Sequence, residues 1–284
     1  MTQPEKVSWN TMIVGDAAMQ PPDHITAAAA AAAGESVEPL GWAIHPPKDG
    51  SFQFDYPDGT HYCGEWLDRM KHGKGRIQWP SGKTYEGGWK KDEMHGKGSL
   101  TWSEGRYTGS FLQGIRHGEG TAEWTGGKTY VGKWAKGTRH GKGKLTWYIG
   151  PEMLRSGEEG IKGEYYGEWV SNVRSGAGKM TTSEGELYEG QWAKDERHGE
   201  GCMIWPGGDR YQGKWRDGMR HGAGLMIWED ADPHCKRRYE GEFVDGLFDG
   251  YGCMVWPDKY YDFKWVKGEM TKPEKIKMGK PKTK

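Results

Sequence analysis

The stretch from Tyr62 to Trp89 contains the opening of one short motif twice. It begins with Tyr62-Cys63-Gly64-Glu65-Trp66 and, after five further residues, continues with His72-Gly73-Lys74-Gly75. Ile77 and Trp79 follow at alternate positions, and after a turn the opening returns as Tyr85-Glu86-Gly87-Gly88-Trp89. The rest of the chain is best understood by comparison with this unit.

Copies of the unit fill most of the chain. The opening Tyr-x-Gly-x-(Trp or Phe) recurs at steps of 22 or 23 residues except across two insertions, and a worn ninth copy has Phe263 in place of its glycine. The eight better openings start at Tyr62, Tyr85, Tyr107, Tyr130, Tyr165, Tyr188, Tyr211 and Tyr239. A repeat of this length indicates an array of small units rather than one globule.

Within each unit the characteristic residues alternate, which is the period of a β-strand. Tyr62, Gly64 and Trp66 share one face of a first strand, and Gly73 and Gly75 begin the corresponding face of a second. Each unit is therefore predicted to be a β-hairpin. Because glycine normally weakens a strand, its recurrence predicts flat notches in which the tyrosine or tryptophan of a neighbouring strand lies across the backbone.

Tyr-x-Gly-x-Trp followed by His-Gly-x-Gly resembles the MORN repeat (membrane occupation and recognition nexus) over roughly Phe52 to Trp265. The resemblance implies an all-β fold in which consecutive antiparallel hairpins form one elongated, twisted, single-layer sheet. With strands spaced ~4.8 Å apart, such a sheet would be about 80 Å long. The repeat residues implied as structural include Tyr62, Gly64, Trp66, Tyr85, Gly87, Trp89, Tyr188, Gly190 and Trp192.

The sequence divides into three regions. Residues 1–50 are predicted to be an extended or disordered arm, and residues 51–265 form the repeat array. Insertions at 148–163 and 229–238 fall between hairpins, where they can loop out without disturbing the strand register. Residues 266–284 form a lysine-rich tail that could contact an acidic surface.

The N-terminal arm contains two tryptophans in short apolar islands, Trp9 and Trp42. Two interpretations stay open for it. It is either a disordered leader or an arm that becomes ordered when those islands dock on a partner or on the sheet.

Composition narrows the function classes. The apolar fraction is only 34%, most of it within the repeats, and the formal net charge is zero, which argues against a surface dominated by attraction to nucleic acid. No signal peptide is recognised, and no apolar run approaches the ~20 residues of a membrane span. Four scattered cysteines without a CxxC pair favour a reducing intracellular compartment, hence the cytoplasm and its cytoskeleton.

No residues form a pattern typical of an enzyme. Ser81-Gly82-Lys83-Thr84 and Gly126-Gly127-Lys128-Thr129 resemble the end of a phosphate-binding loop, but the first glycine of that motif is missing and no helix is predicted to follow. The recurrent histidines would lie ~10 Å apart in successive hairpins, too far to share a metal ion that needs ligands within ~2 Å. We therefore expect no catalytic residues, no cofactor and no metal.

The face opposite the tyrosines changes character along the array. In early units the second strand carries polar residues there, whereas the last three carry the pairs Cys202/Ile204, Leu225/Ile227 and Cys253/Val255. An exposed apolar surface on a thin sheet usually marks something that covers it, either a partner or the chain's own arm or tail. The residues predicted to bind a partner are Ile204, Leu225, Ile227, Val255, Lys275 and Lys277, with Trp9 and Trp42 as further candidates.

Two functions compete at this point. MORN arrays occur in ciliary axonemal proteins, in membrane-junction proteins, and as appendages of lipid kinases and of a lysine methyltransferase. An array that makes up nearly the whole chain resembles the ciliary members, which implies a scaffold docked on tubulin or on other axonemal proteins. The alternative is an adaptor on acidic membrane lipid, suggested by the basic residue before most His-Gly steps. These residues are Lys71, Arg116, Arg139, Arg174, Arg197 and Arg220.

Overall fold

The computed structural model describes residues 45–149, 161–229, 237–257, 259–271 and 275–278. Within these ranges the chain consists of β-strands joined by turns, and no helix occurs. The strands pair in antiparallel fashion, for the most part with their neighbours in sequence, so the predicted all-β fold of consecutive hairpins is confirmed.

The chain divides into two units. The first comprises residues up to Gly120 together with Trp134–Gly137, and the second comprises Thr121–Lys133 and the residues from Thr138 onward. In the first unit, each strand from β1 to β6 pairs with the next. The strands that lie wholly in this unit are β1 (Gly50–Asp55), β2 (His61–Leu67), β3 (Met70–Gln78), β4 (Thr84–Lys90), β5 (Glu93–Trp102) and β6 (Gly105–Leu112). β7 (Ile115–Trp124) and β8 (Thr129–Ala135) contain residues of both units.

The second unit continues the same pattern. Each strand from β9 to β18 pairs with the next, and β18 also pairs with β19 and β20. The strands are β9 (Thr138–Ile149), β10 (Ile161–Val170), β11 (Val173–Thr181), β12 (Leu187–Ala193), β13 (Glu196–Ile204), β14 (Arg210–Arg216), β15 (Met219–Trp228), β16 (Arg237–Val244), β17 (Leu247–Val255), β18 (Lys259–Val266), β19 (Glu269–Met270) and β20 (Lys275–Met278).

The hairpin turns are shorter than the five linking residues in the sequence suggest. Only Asp68 and Arg69 separate β2 from β3, and both have positive φ, of 50° and 62°. Asp217 and Gly218 repeat this arrangement in the second unit, with φ of 50° and 77°. Positive φ at both central residues defines the type I′ turn, whose twist matches that of the flanking strands.

The glycine that follows each histidine has a different role from the one its place in the pattern suggested. Gly73 has a φ of 60°, and the strand register shifts there, because Gly64 pairs with Gly75 but the next residue, Glu65, pairs with His72. A β-bulge therefore occupies the start of β3. Gly199 has a φ of 57° in the equivalent bulge of β13. This glycine supplies a left-handed conformation, whereas the glycine two residues later forms the notch.

The core is a layer of aromatic side chains on one face of the strands. The ring of Tyr85 lies over Gly87 of its own strand and over Gly98 of the next, where any β-carbon would collide with it. Its hydroxyl donates a hydrogen bond to the carbonyl of Gly88 at 2.8 Å. Its ring makes an edge-to-face contact at 5.2 Å with Trp89 of the same strand, and another at 5.0 Å with Phe111, which links it to the next hairpin. The predicted glycine notches are thus present, and tyrosine fills them.

Strands extend into two regions outside the predicted regular hairpins. β9 continues to Ile149 and β10 begins at Ile161, and these two residues pair with each other. In the lysine-rich tail, β20 pairs with β18. Residues 1–44, including Trp9 and Trp42, lie outside the described part of the chain.

Candidate docking surface

The repeat residues that the resemblance implied as structural are all in the aromatic layer. Tyr62, Tyr85 and Tyr188 are completely buried, and Trp66, Trp89 and Trp192 are almost so. The glycines at 64, 87 and 190 lie against the ring of the tyrosine two residues before them. Their side of the sheet is occupied by the protein's own side chains.

The basic residue before the His-Gly step also belongs to this layer. The guanidinium carbon of Arg197 lies 4.5 Å from the centroid of the Trp215 ring in the next hairpin. Its Nη2 donates a hydrogen bond of 3.0 Å to the carbonyl of Gly218, in that hairpin's turn. Arg139 and Arg174 make the same contacts and are only 2% and 4% exposed. These cations therefore join consecutive repeats and do not form a basic outer surface.

Lys71 shows the same arrangement with an ammonium group. Its Nζ lies 5.6 Å from the centroid of the Trp89 ring and 2.9 Å from Oδ1 of Asp92 in the next turn. Burial lowers the pKa of Arg197 and Arg220, and also that of Arg174 despite the opposing effect of its neighbour Asp195. Arg116 and Arg220 likewise donate to the carbonyls of Gly137 and Gly246. Each of the six basic residues that suggested lipid binding therefore has a partner within the protein.

On the opposite face, the apolar residues predicted from the sequence lie in two rows that cross strands β12 to β18. We call these strands, on this side, the C-terminal face. The first row is Leu187, Ile204, Arg210, Ile227, Arg238, Val255 and Tyr260, and each residue pairs with the next. The second row is Glu189, Cys202, Gln212, Leu225, Glu240, Cys253 and Asp262, paired in the same way.

The two rows alternate in character from strand to strand. β13, β15 and β17 contribute an apolar residue to both rows, whereas β14 and β16 contribute an arginine to the first row. Ile204, Leu225, Ile227 and Val255 are all partly exposed. A shallow depression of about 440 Å³ begins at Leu187 and Ile204 and is also lined by Arg210. The structure therefore brings four predicted docking residues onto one accessible face.

Cys253 behaves as an apolar member of this face. Burial raises the pKa of its thiol to about 11, and the carboxylates of Asp262 and Glu240 act in the same direction. The thiol therefore stays neutral at physiological pH. The same carboxylates make the second row acidic at its C-terminal end.

The corresponding face of the first unit is polar. The positions equivalent to Ile204 and Ile227 are Gln78 in β3 and Thr101 in β5, where Gln78 pairs with Thr84 and Thr101 pairs with Arg106. At these second-strand positions the apolar pairs thus occur in the C-terminal hairpins, although single exposed apolar residues also follow the repeat tyrosines earlier in the chain, at Val131 and Tyr166.

The remaining predicted docking residues are only partly placed. Lys275 pairs with Asp262 and Lys277 with Tyr260 through the backbone of β20. Trp9 and Trp42 lie outside the described residues, so their docking role stays a prediction.

Sequence reasoning missed the members of the first row that lie directly before a repeat tyrosine. Leu187, Arg210, Arg238 and Tyr260 are of this kind, and each pairs with an apolar residue. The sequence contained the signal for them. Tyr188 pairs with Met203 of the next strand, and because the two strands are antiparallel, the residue before the tyrosine pairs with the residue after the methionine.

The motifs that resembled ligand sites are explained by the fold. Ser81 and Gly82 lie in a turn between β3 and β4, in which the backbone N–H of Trp79 donates to the carbonyl of Lys83 and the N–H of Gly82 donates to the carbonyl of Trp79. The Lys83 ammonium lies 5.1 Å from the centroid of the Trp79 ring. Among the residues described, no group of three histidine, cysteine, aspartate or glutamate side chains could hold a metal ion. None of them forms a helix long and apolar enough to cross a membrane.

Comparison with protein-family models agrees with the geometry. The MORN repeat model matches eight segments that together span more than half of the chain: residues 62–84, 85–105, 107–129, 130–151, 165–186, 188–210, 211–232 and 239–259. The chain belongs to the MORN repeat family. MORN repeats are a non-catalytic repeat family and indicate a binding or scaffold role through protein or membrane-lipid interactions. No curated protein matches the chain.

Proposed function

We propose that this MORN-repeat protein is a non-enzymatic scaffold of the ciliary or flagellar axoneme. It docks through its C-terminal face and its termini onto a microtubule-based assembly, either a doublet microtubule or a radial spoke, and its partners are tubulin or other axonemal proteins. The observation that carries the proposal is the partly exposed apolar face formed by Ile204, Leu225, Ile227 and Val255. Apolar contact area surrounded by charged residues is typical of protein interfaces.

The alternative function, an adaptor on acidic phospholipid, loses its main argument from the sequence. Attraction to an anionic bilayer needs cations that can reach the headgroups. Arg139 and Arg174 are buried in the aromatic layer, and their guanidinium groups already bind rings and carbonyls of the next repeat. The lysine-rich tail is, by its sequence, a cationic segment suited to an acidic partner.

The test is retention in isolated axonemes. Replacing Ile204 and Ile227 together by threonine should leave the fold intact, because the same position is threonine in β5 and β11, at Thr101 and Thr181. We expect the double variant to be released from demembranated axonemes at lower salt than wild type. The matched control changes Gln78 to threonine at the equivalent position of the first unit.

A second arm of the test concerns the tail and the membrane. Lys275→Gln with Lys277→Gln keeps β20 but removes two charges, and we expect it to increase the salt sensitivity of attachment. Flotation with anionic vesicles is done in parallel. Absence of the wild-type protein from axonemes together with flotation on anionic vesicles would overturn the proposal in favour of the lipid adaptor.

A further inference from the structure

We propose that the open edge of β1 binds an extended segment of a partner protein, which adds one antiparallel strand to the first unit. The partner segment has aliphatic residues at alternate positions and basic residues between them. This site lies on a different surface from the C-terminal face, and it does not depend on the axonemal assignment. Addition of a strand to a free sheet edge is a recurrent way in which proteins bind peptides.

The backbone of β1 provides the groups that a further strand needs. Within the described residues, β1 pairs with β2 and with no strand on its other side. The N–H of Tyr56 donates to the carbonyl of Thr60 in the turn before β2. Residues of an antiparallel strand that bond to one neighbour alternate with those that face the other side. Ser51, Gln53 and Asp55 therefore direct their N–H and carbonyl groups toward the open edge.

β1 lacks the features that usually protect an edge strand. Lysine, proline or a bulge in such a strand discourages pairing with another chain. The strand Gly50–Asp55 contains neither lysine nor proline, and its six pairs with β2 run without a shift of register. By contrast, β20 has the sequence Lys275-Ile276-Lys277-Met278, with two lysines. The edge of β1 is thus the less protected of these two.

Phe52 closes this edge to a further repeat. It pairs with Gly64, so it takes the position that Gly75 has in β3. At that position the ring of the preceding tyrosine, Tyr62, lies against Gly75 and leaves no room for a β-carbon. The side chain of Phe52 would collide with such a tyrosine. A strand of the Tyr-x-Gly type therefore cannot pair with β1, and the partner strand must have a different sequence.

Phe52 also presents an apolar surface to that strand. Its side chain is 49% exposed, and its ring lies over Gly50 of the same strand. Phe54 follows on the same face and is partly exposed. Aromatic side chains pair favourably with β-branched ones on a neighbouring strand. We therefore expect aliphatic residues at alternate positions of the partner.

The opposite face of β1 is acidic. Asp55 lies on it, Asp49 and Asp58 flank the strand, and all three are exposed beside one lysine, Lys48. Nδ1 of His61 lies 2.6 Å from Oδ1 of Asp55, and this hydrogen bond lowers the pKa of the carboxyl, which stays ionised at neutral pH. Complementary charge favours a basic side chain next to Asp55, whereas a second copy of β1 would bring the same carboxylates together.

The experiment measures, by fluorescence anisotropy, the binding of a labelled synthetic peptide of alternating lysine and valine to the full chain. When its valines face Phe52 and Phe54, its lysine N–H groups bond to the edge of β1 and its valine N–H groups point away. Methylation of the lysine backbone nitrogens should abolish binding, whereas methylation of the valine backbone nitrogens should preserve it. A peptide with glutamate in place of lysine should bind at least about tenfold more weakly.

Two variants at one position locate the peptide on the protein. Gln53→Pro removes an N–H that points outward, at an edge position where proline is tolerated, and should weaken binding at least about tenfold. Gln53→Ala keeps that N–H and is the matched control, which should bind like wild type. Amide hydrogen exchange at Ser51 and Gln53 of the wild-type chain should slow when the peptide binds.

Thermal melts show whether the variants fold, and the methylated peptides test the same contact on the wild-type chain. Absence of peptide binding to wild type would overturn the proposal, as would equal binding to wild type and Gln53→Pro. Self-association of the wild-type chain that Gln53→Pro abolishes would also overturn it, because a second copy would then occupy the edge. None of these results bears on axonemal retention, which the experiment of the preceding subsection measures separately.

Discussion

Arg174 and Trp192 belong to consecutive hairpins, and the guanidinium carbon of the arginine lies 4.4 Å from the centroid of the indole. The same side chain reaches the next turn, where Nη2 donates to the carbonyl of Asp195 at 2.7 Å and Nε donates to Oδ1 of that residue at 3.0 Å. One side chain thus attaches to the ring and to the turn of the following repeat. A single layer of strands has no second layer that could cover its aromatic side chains. The arginine side chains therefore cover part of the aromatic layer on the side that faces solvent.

The first prediction concerns this contact. Arg197→Met should lower the free energy of unfolding by about 1–3 kcal/mol, since it removes a cation–π contact with Trp215 and a charge-assisted hydrogen bond to Gly218. Methionine fits the site, because the second hairpin naturally has Met94 at this position. Urea unfolding monitored by tryptophan fluorescence measures the change. Arg210→Met, on the opposite face, is the control, and equal losses at the two positions would contradict the role assigned to Arg197.

The second prediction separates two kinds of glycine. A β-carbon on Gly98 would lie 2.5 Å from Cε2 of Tyr85, whereas one on Gly96 would meet open space but in a backbone with a φ of 69°. We expect Gly98→Ala to cost about 3 kcal/mol through overpacking, and Gly96→Ala to cost only about 1–2 kcal/mol through the left-handed conformation. Thermal melts check the order.

The control for both is Gly207→Ala. That glycine has open space around it and no left-handed φ, so its replacement should change stability by less than about 0.5 kcal/mol. Melting temperatures that fall equally for Gly96→Ala and Gly98→Ala would show that the tyrosine notch has no special cost.

These glycines also show what the sequence could predict about the fold. The alternation of tyrosine, glycine and tryptophan was sufficient to predict the hairpins and the notches, because a two-residue period is a local property. It was not sufficient to predict the bulge at Gly73 or the two-residue turn at Asp68 and Arg69. Positive φ leaves a clear sequence signal only where glycine or asparagine occurs, and Arg69 has a positive φ without being either.

The third prediction concerns alkaline pH. Burial raises the pKa of Tyr107, Tyr211 and Tyr239 to about 12. Below the ordinary tyrosine pKa of about 10, these groups are protonated in both the folded and the unfolded chain and add no pH dependence. Above it, the unfolded chain loses protons that the folded chain keeps, so the free energy of unfolding falls as the pH rises from about 10 to 12.

The measurement combines circular dichroism with the ultraviolet absorbance of the phenolate over this range. We expect ionisation of the buried tyrosines to coincide with the loss of β-structure, because a charged ring cannot remain in the notch. Ionisation of the repeat tyrosines in a chain that keeps its full β-sheet signal would contradict their burial.

Part of the C-terminal face could be predicted from the sequence, and part could not, because its composition depends on the register in which neighbouring strands pair. Ile204 and Ile227 could be assigned to the outer face because they alternate with buried residues on their own strands. Their neighbours across the strands, Leu187 and Arg238, depend on how one strand aligns with the next, and a shift of one residue moves every side chain to the other face. Pairing of Tyr188 with Met203 fixes that alignment.

The last prediction compares two hairpin turns whose second residue differs: it is Arg69 in the turn after β2 and Asp195 in the turn after β12. Arg69 and Asp195 both have positive φ, of 62° and 66°. Arg69 is exposed, so Arg69→Gly should raise the free energy of unfolding by about 0.5–1 kcal/mol by relieving the left-handed conformation.

Asp195→Gly relieves the same conformation but removes the carboxylate that accepts hydrogen bonds from the backbone N–H and Nε of Arg174 at 2.9 Å and 3.0 Å. Because Arg174 is buried, that loss should outweigh the relief and lower stability by about 1–2 kcal/mol. Urea unfolding of the two variants against wild type checks both signs, and changes in the same direction would show that the carboxylate of Asp195 adds nothing to the contact between repeats.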